Sequence, residues 1–301
     1  MNDDGPLHPA DQDLLSAWKA FAQLRSAGDH DAAATSARST AFALRREGAD
    51  DSHPAVLTFD TLGLAARNAS EFDEPEPPSG ASDTLRSVWA VTWEPAHISG
   101  LTAVDGLPGV GKSTLLYGLA AALPIAPEVA VLRRRGSAMD GSTLDESRRI
   151  ASGFLADEVA RIAGLPALVL DRSWLSHLAY AWAFEATAGQ PGLYRSVYDR
   201  TDRLLSDGLL QRPLRSVLLE RSAEPSARRT PSGFSALPDF YSEPNFKRLW
   251  TEWWSLLEAS GAHLDRLSVD PDPVRAARDL LVVVSATPSS HLRDYALPPP
   301  R

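Results

Sequence analysis

The stretch LTAVDGLPGVGKSTLLYGLAAAL, residues 101–123, constrains this chain more than any other. Leu-Thr-Ala-Val is short, apolar and β-prone; it leads into Gly106-x-x-x-x-Gly111-Lys112-Ser113, and Thr114 opens an apolar helical run. Strand, glycine turn and helix in that order aim successive backbone N–H groups at one point beside a helix N-terminus, which favours an anion. Gly106, Gly109 and Gly111 let the backbone wrap phosphate oxygens. Lys112 is placed to reach the β- and γ-phosphates, Thr114 joins the nucleotide-binding loop, and the Ser113 hydroxyl is placed to meet Mg²⁺. The pattern predicts a nucleotide site, with ATP and Mg²⁺ as its ligands.

The rest of the chain repeats the alternation that this segment begins. Apolar runs read as strands at 101–105, 128–132, 166–171, 214–219 and 263–268. Helices fall near 112–122, 143–163, 173–187, 193–208, 245–260 and 271–282. Alternation of this kind predicts an α/β architecture of the P-loop NTPase type, a five-stranded parallel sheet with helices on both faces. Ahead of it, residues 1–71 read as an alanine-rich helical region, with turn signals at Gly28 and Gly48 and Pro54 near the start of a third helix. Its spacing fits either a tetratricopeptide-like unit or a helical cap packed on the main domain. FDEPEPPSGASD, residues 72–83, reads as a linker, and VWAVTWEP after it as a short strand or a docking segment. The main domain is expected over 84–285, with an irregular proline-rich tail over 286–301.

Composition narrows the partners. The formal charge of −9 argues against a polynucleotide, whose backbone requires a basic surface. No run approaches the roughly 18 apolar residues of a membrane span. The acidic N-terminus lacks the basic and apolar regions of a signal peptide, and with an ATP requirement this points to the cytoplasm. There is no cysteine, so disulfides and thiolate metal sites are excluded. A small anionic or polar metabolite is the expected acceptor. The N-terminal helices leave room for a homodimer or a protein partner.

A second site is legible in PALVLDRSWLSHLAYAWAF, residues 166–184. A buried strand ends in Asp171-Arg172-Ser173 and runs into a helix that Ser173 can cap. Ligands of parallel sheets lie beyond the carboxyl ends of strands, so Asp171 and Arg172 are expected beside the loop's phosphates. In LRRRG, residues 132–136, three consecutive arginines form a costly cluster of like charge unless an anion joins them, and arginine forks match phosphate oxygens. A further basic stretch, ERSAEPSARRTPSGF, spans residues 220–234. Trp174, Tyr180, Trp182, Phe184, Tyr194 and Tyr198 either pack the core or offer a flat acceptor a stacking partner.

Asp171-Arg172-Ser173-x-x-Ser176-x-x-Ala179-Tyr180 resembles the DR(Y/S)xxSxxAYQ signature of thymidylate kinases, and also the ERS motif of deoxynucleoside kinases. The resemblance spans about 101–282: phosphate loop, an arginine–glycine turn with Arg133 and Gly136, the DR motif, then a basic lid. It implies a kinase in which Arg172 and Arg133 bind the acceptor's phosphate and Tyr180 contributes to acceptor binding. It also implies that Arg221, Arg228 and Arg229 close over the triphosphate, and that Lys112, Asp171 and Arg172 carry the chemistry, with Ser113 and Asp171 towards the metal. Two positions depart from the pattern. Pro108 stands where thymidylate kinases place a carboxylate, and Arg133 to Arg135 stand where deoxynucleoside kinases carry a glutamate base. Those arginines suit an acceptor that is already phosphorylated; an alcohol acceptor would instead benefit from a general base, with Asp171 or Asp105 as the candidates, unless either organises Mg²⁺ through water. The reading is an ATP-dependent small-molecule kinase acting on a nucleotide or nucleoside-like acceptor. Its rivals are a regulatory nucleotide-binding protein that uses its N-terminal helices, and a kinase of an antibiotic-like or sugar alcohol.

Overall fold

Five parallel strands carry the site: β1 (Leu101–Gly106), β2 (Ile125–Ala126), β3 (Leu168–Asp171), β4 (Arg215–Glu220) and β5 (Leu264–Ser268), in the order β2-β3-β1-β4-β5. The computed structural model describes residues 9–51, 53–68, 76–89, 91, 96–132, 143–165, 167–221, 243–286 and 295–300. Val104 pairs with Asp171 on one side and Val217 on the other. Because side chains alternate across a strand, Val104, Val169 and Val217 belong to one apolar cluster and Leu101, Leu170 and Leu218 to the other. Helices α4 (Asp83–Trp89), α5 (Lys112–Gly118) and α11 (Pro273–Ser285) cover the first face. On the second lie α7 (Leu144–Ile162), α8 (Trp174–Ala188) and α10 (Pro244–Ala259), with α9 (Leu193–Ser206) outside α7 and α8. The parallel α/β arrangement expected from the alternation is therefore present.

Helix α8 shows why the DR segment is rigid. Every residue from Trp174 to Phe184 is buried, so the helix is apolar all round and sits inside the second layer. Ser173 caps it, its hydroxyl accepting from the Leu175 N–H at 3.2 Å.

One expected element is different in kind. Residues 128–132 were expected as a strand; instead the strand is the short β2 and Val129–Leu132 form a helical turn, α6. Pro127 ends the ladder because it has no N–H to donate. The Val-Ala-Val-Leu run is then buried on all sides, a condition in which apolar periodicity cannot separate strand from helix. Helix α5 is also shorter than the expected 112–122, the chain continuing to Leu123 in turns. Of VWAVTWEP, expected as a short strand or docking segment, residues 90 and 92–95 lie outside the described residues, and Val88 and Trp89 close the short helix α4. It packs so closely on α5 that a Cβ on Gly118 would come within 2.2 Å of Val88 Cγ1.

The N-terminal helices α1 (Pro9–Ser26), α2 (His30–Arg46) and α3 (Pro54–Asn68) share the apolar cluster of the second face. Ala33, Ala34, Ala37 and Ala41 let α2 approach α3, where Gly63 leaves only 3.3 Å between a built Cβ and that of Ala37. Trp18 is buried with Phe21, and its Nε1–H donates to Arg161 O at 3.2 Å, at the end of α7. Of the stretch read as a linker, 72–75 lie outside the described residues. Residues 76–82 pack closely against the α2–α3 turn, where a Cβ on Gly80 would meet Asp51 O at 2.0 Å. Of the tail, residues 295–300 are docked: Tyr295 and Leu297 are buried, and Tyr194 Oη donates to Pro298 O at 2.6 Å. Among the described residues, no helix is long and apolar enough to cross a membrane.

Candidate active site

The phosphate loop lies at the carboxyl end of the central strand. Gly109 (φ 81°) and Gly111 (φ 99°) hold the left-handed conformation that turns the loop into α5, with Gly111 as the N-cap residue. Lys112 begins the helix and is only 4% exposed. Its Nζ is in hydrogen-bonding contact with Asp171 Oδ1, 3.5 Å from Ser113 Oγ and 3.9 Å from Glu128 Oε2. Burial, and then the neighbouring Arg172 charge, lower the Lys112 pKa to about 7.

The Asp171–Arg172 corner faces this loop. Arg172 has φ 59°, the only positive φ outside glycine among the described residues. A non-glycine residue in that region carries roughly 1–3 kcal/mol of strain and persists only where its surroundings over-determine it. Here they do. The Arg172 N–H donates to Val104 O at 3.1 Å, and its carbonyl accepts from Arg161 Nη2 at 2.7 Å. Its own Nη1 donates to Gly106 O at 2.8 Å, and its Nε lies 3.1 Å from Glu128 Oε1. The guanidinium is thereby laid across the first glycine of the loop.

Asp105 behaves differently from its description as a base or metal carrier. Register places Asp171 on the α5 face with Val104, so Asp105, one residue on, points to the α8 face. There it accepts from the Ser173 N–H at 3.1 Å, the Ser173 hydroxyl at 3.1 Å and the Ser176 hydroxyl. Burial raises its pKa even against these donors. Asp105 brackets the start of α8 and fixes the corner from behind.

Glu128 is the site residue that sequence reasoning missed. With β2 ending at Ala126, Glu128 stands at that strand's carboxyl end, between Arg172 and Lys112. Burial alone would raise its pKa, but Arg172, Lys112, His177 and Arg161 together hold it below the usual carboxylate range. The signal was Pro127, which marks the strand's end in the sequence. Tyr180, expected at the acceptor, is 5% exposed, stacked on Phe184 at 5.3 Å and edge-on to Phe246 at 5.8 Å, so its ring packs in the core. Arg133, Arg228 and Arg229 lie outside the described residues; Arg221 is exposed just after β4.

The donor set fits a hard divalent cation. The Ser113 hydroxyl and the Asp171 carboxylate both lie within hydrogen-bonding reach of the Lys112 nitrogen, and Asp171 Oδ2 is buried without a hydrogen-bond partner among the described residues. Hydroxyl and carboxylate oxygens, completed by phosphate and water, are what Mg²⁺ takes.

No family model matches this chain, and no curated protein matches it. Among solved structures it is similar to a thymidylate kinase from Candida albicans, at 15% sequence identity and a TM-score of 0.41, over 62% of this chain and 91% of that one.

Proposed function

We propose that the chain is an ATP- and Mg²⁺-dependent phosphotransferase that moves the γ-phosphoryl group to a small nucleotide or nucleoside-like acceptor. The observation that carries this reading is the contact between the loop lysine, Lys112, and the Asp171–Arg172 corner of the neighbouring strand. A loop alone describes a nucleotide binder; a loop facing a second cationic corner describes a donor opposite a recipient. The loop amides and Lys112 hold the β- and γ-phosphates, and Arg172 orients the incoming group. Ser113 and Asp171 hold the metal, which neutralises charge on the phosphate oxygens when bound. Arg133, Arg228 and Arg229 remain the expected acceptor and lid arginines.

Glu128 favours an alcohol acceptor, a nucleoside or a sugar-like alcohol, over a monophosphate. A hydroxyl must lose a proton as it attacks, and Glu128 is a carboxylate beside the Lys112 nitrogen. When Lys112 turns to a triphosphate, Glu128 loses one of the cations that depress its pKa and becomes a better base. The test is transfer from ATP across nucleosides, nucleoside monophosphates and sugar alcohols. Hydroxyl phosphorylation that falls roughly 10²-fold or more in Glu128→Gln supports the alcohol reading. Transfer to monophosphates that ignores Glu128→Gln supports a nucleotide acceptor. ATP binding with transfer to none of them defeats the kinase reading and leaves a nucleotide-binding regulator.

Binding should also move protons. With its pKa at about 7, Lys112 is mostly neutral at pH 8, and a triphosphate favours its ammonium form. ATP binding at pH 8 is expected to take up close to one proton, and affinity to weaken as pH rises above about 7. Calorimetry in buffers of different ionisation enthalpy measures the uptake. Lys112→Arg, which stays charged, should abolish it. Equal uptake in both proteins would show that another group titrates.

A further inference from the structure

We propose that Arg161 is a positioning residue for phosphoryl transfer: one buried guanidinium that holds the ends of β2 and β3 so that Glu128 and Arg172 meet the phosphate loop. The inference rests on the reading of that corner as a transfer site. Arg161 lies in the last turn of α7 and is 0% exposed. Its bonds leave its own helix. Nη1 donates to Pro127 O at 2.6 Å and to Asp171 O at 3.2 Å, and Nη2 donates to Arg172 O at 2.7 Å. These carbonyls belong to residues at or just past the ends of β2 and β3, and buried carbonyls there need donors from elsewhere.

A buried guanidinium is costly unless it is paired and its donors are used. Glu158 Oε2 lies 2.7 Å from Arg161 Nη2 and supplies the countercharge. Glu158 Oε1 in turn lies 3.5 Å from His177 Nε2, whose ring packs 5.1 Å from that of Phe154. The cation is thus paired on α7 while its fork grips the ends of β2 and β3.

The grip falls where the backbone is strained. Carbonyls 171 and 172 flank the left-handed residue, and carbonyl 127 immediately precedes Glu128. If the peptide after Arg172 rotated, the Arg172 carbonyl would leave Arg161 and the Ser173 N–H would leave Asp105, and the corner that presents the Arg172 side chain to Gly106 O and Glu128 would lose its support. Arg161 makes no hydrogen bond to Lys112 or Ser113 among the described residues and reaches the loop only through Asp171 and Arg172, so ATP binding should depend on it less than transfer does.

The experiment compares full-length wild type with Arg161→Lys and Arg161→Met by hydrogen exchange, ATP binding and transfer kinetics. In Arg161→Lys the Ser173 amide is expected to exchange at least tenfold faster. The Leu214 amide, bonded to Leu101 O at the other end of the sheet, should be unchanged. ATP affinity is expected to stay within threefold, while kcat for an acceptor found in the panel falls 30-fold or more. Glycine adopts the left-handed region freely, so in an Arg172→Gly background Arg161→Lys should alter Ser173 exchange less than threefold.

Unchanged Ser173 exchange, or exchange that rises equally at Leu214, would reduce Arg161 to a stabilising residue and overturn the proposal. So would a loss of ATP affinity in step with kcat. If Arg161→Met fails to fold, Arg161→Lys carries the test. If no acceptor is phosphorylated, the exchange pattern still decides whether Arg161 holds the corner, and only the transfer reading falls.

Discussion

Lys112→Ala is expected to lower the rate of phosphoryl transfer by roughly 10²–10³-fold, about 3–4 kcal/mol, the loss typical of one preorganised donor to a developing charge. The same change acts on the free protein. Lys112 and Asp171 are buried together, so removing the cation strands a carboxylate with little access to water. That loss is worth roughly 3 kcal/mol of stability, and Asp171 then tends to take up a proton. The two effects can be separated. Lys112→Ala combined with Asp171→Asn should recover much of the stability in urea denaturation and none of the transfer rate. If Lys112→Ala turned over ATP and acceptor at the wild-type rate, the loop would not be the donor site.

Trp18→Ala should cost about 3–5 kcal/mol of global stability, the range for deleting a large buried aromatic side chain. Trp18 is 1% exposed, packs on Phe21 and donates its indole N–H to the carbonyl of Arg161, so its removal also leaves a helix-terminal carbonyl without that donor. Arg25 makes a second tie, its Nη2 donating to Ala120 O at 3.3 Å just past the phosphate-loop helix. Through these contacts the N-terminal helices support the elements on which the site stands. The expected result is one cooperative transition at lower denaturant, coincident by circular dichroism and by fluorescence. A separate early transition of the N-terminal helices, with the sheet's midpoint unchanged, would mean that they fold as an independent appendage.

What was legible in the sequence was local. Glycines before Lys112 need left-handed backbone wherever they fold, and Gly109 and Gly111 adopt it. Ala-Leu-Val-Leu followed by Asp171-Arg172-Ser173 reads as a strand entering a capped helix, and Ser173 caps it. The alternation of apolar runs was enough for a parallel sheet with both faces covered.

Where the reading went astray, the deciding forces were distant in the chain. Val129–Leu132 have strand-like side chains but are buried on all sides, and only the packing around them selects a helical turn. Glu128 therefore moved from the start of an expected strand to just past the carboxyl end of the observed one. Glu158 and Arg161, three apart on α7, have the spacing of a solvent-exposed ion pair; burial at 1% and 0% comes from elements that the local pattern does not contain. Asp105 and Asp171 both end strands, and the pleat sends one towards α8 and the other towards Lys112.

The sequence by itself determined the phosphate loop, the strand–helix alternation and the identity of the charges near the carboxyl ends of the strands, because these follow from backbone preferences within a few residues. Only the tertiary structure decided which charges meet. That selection depends on register, on the face to which each side chain points and on which cations are buried beside which carboxylates, and these are set by the packing of segments as far apart as Trp18, Arg161 and Arg172.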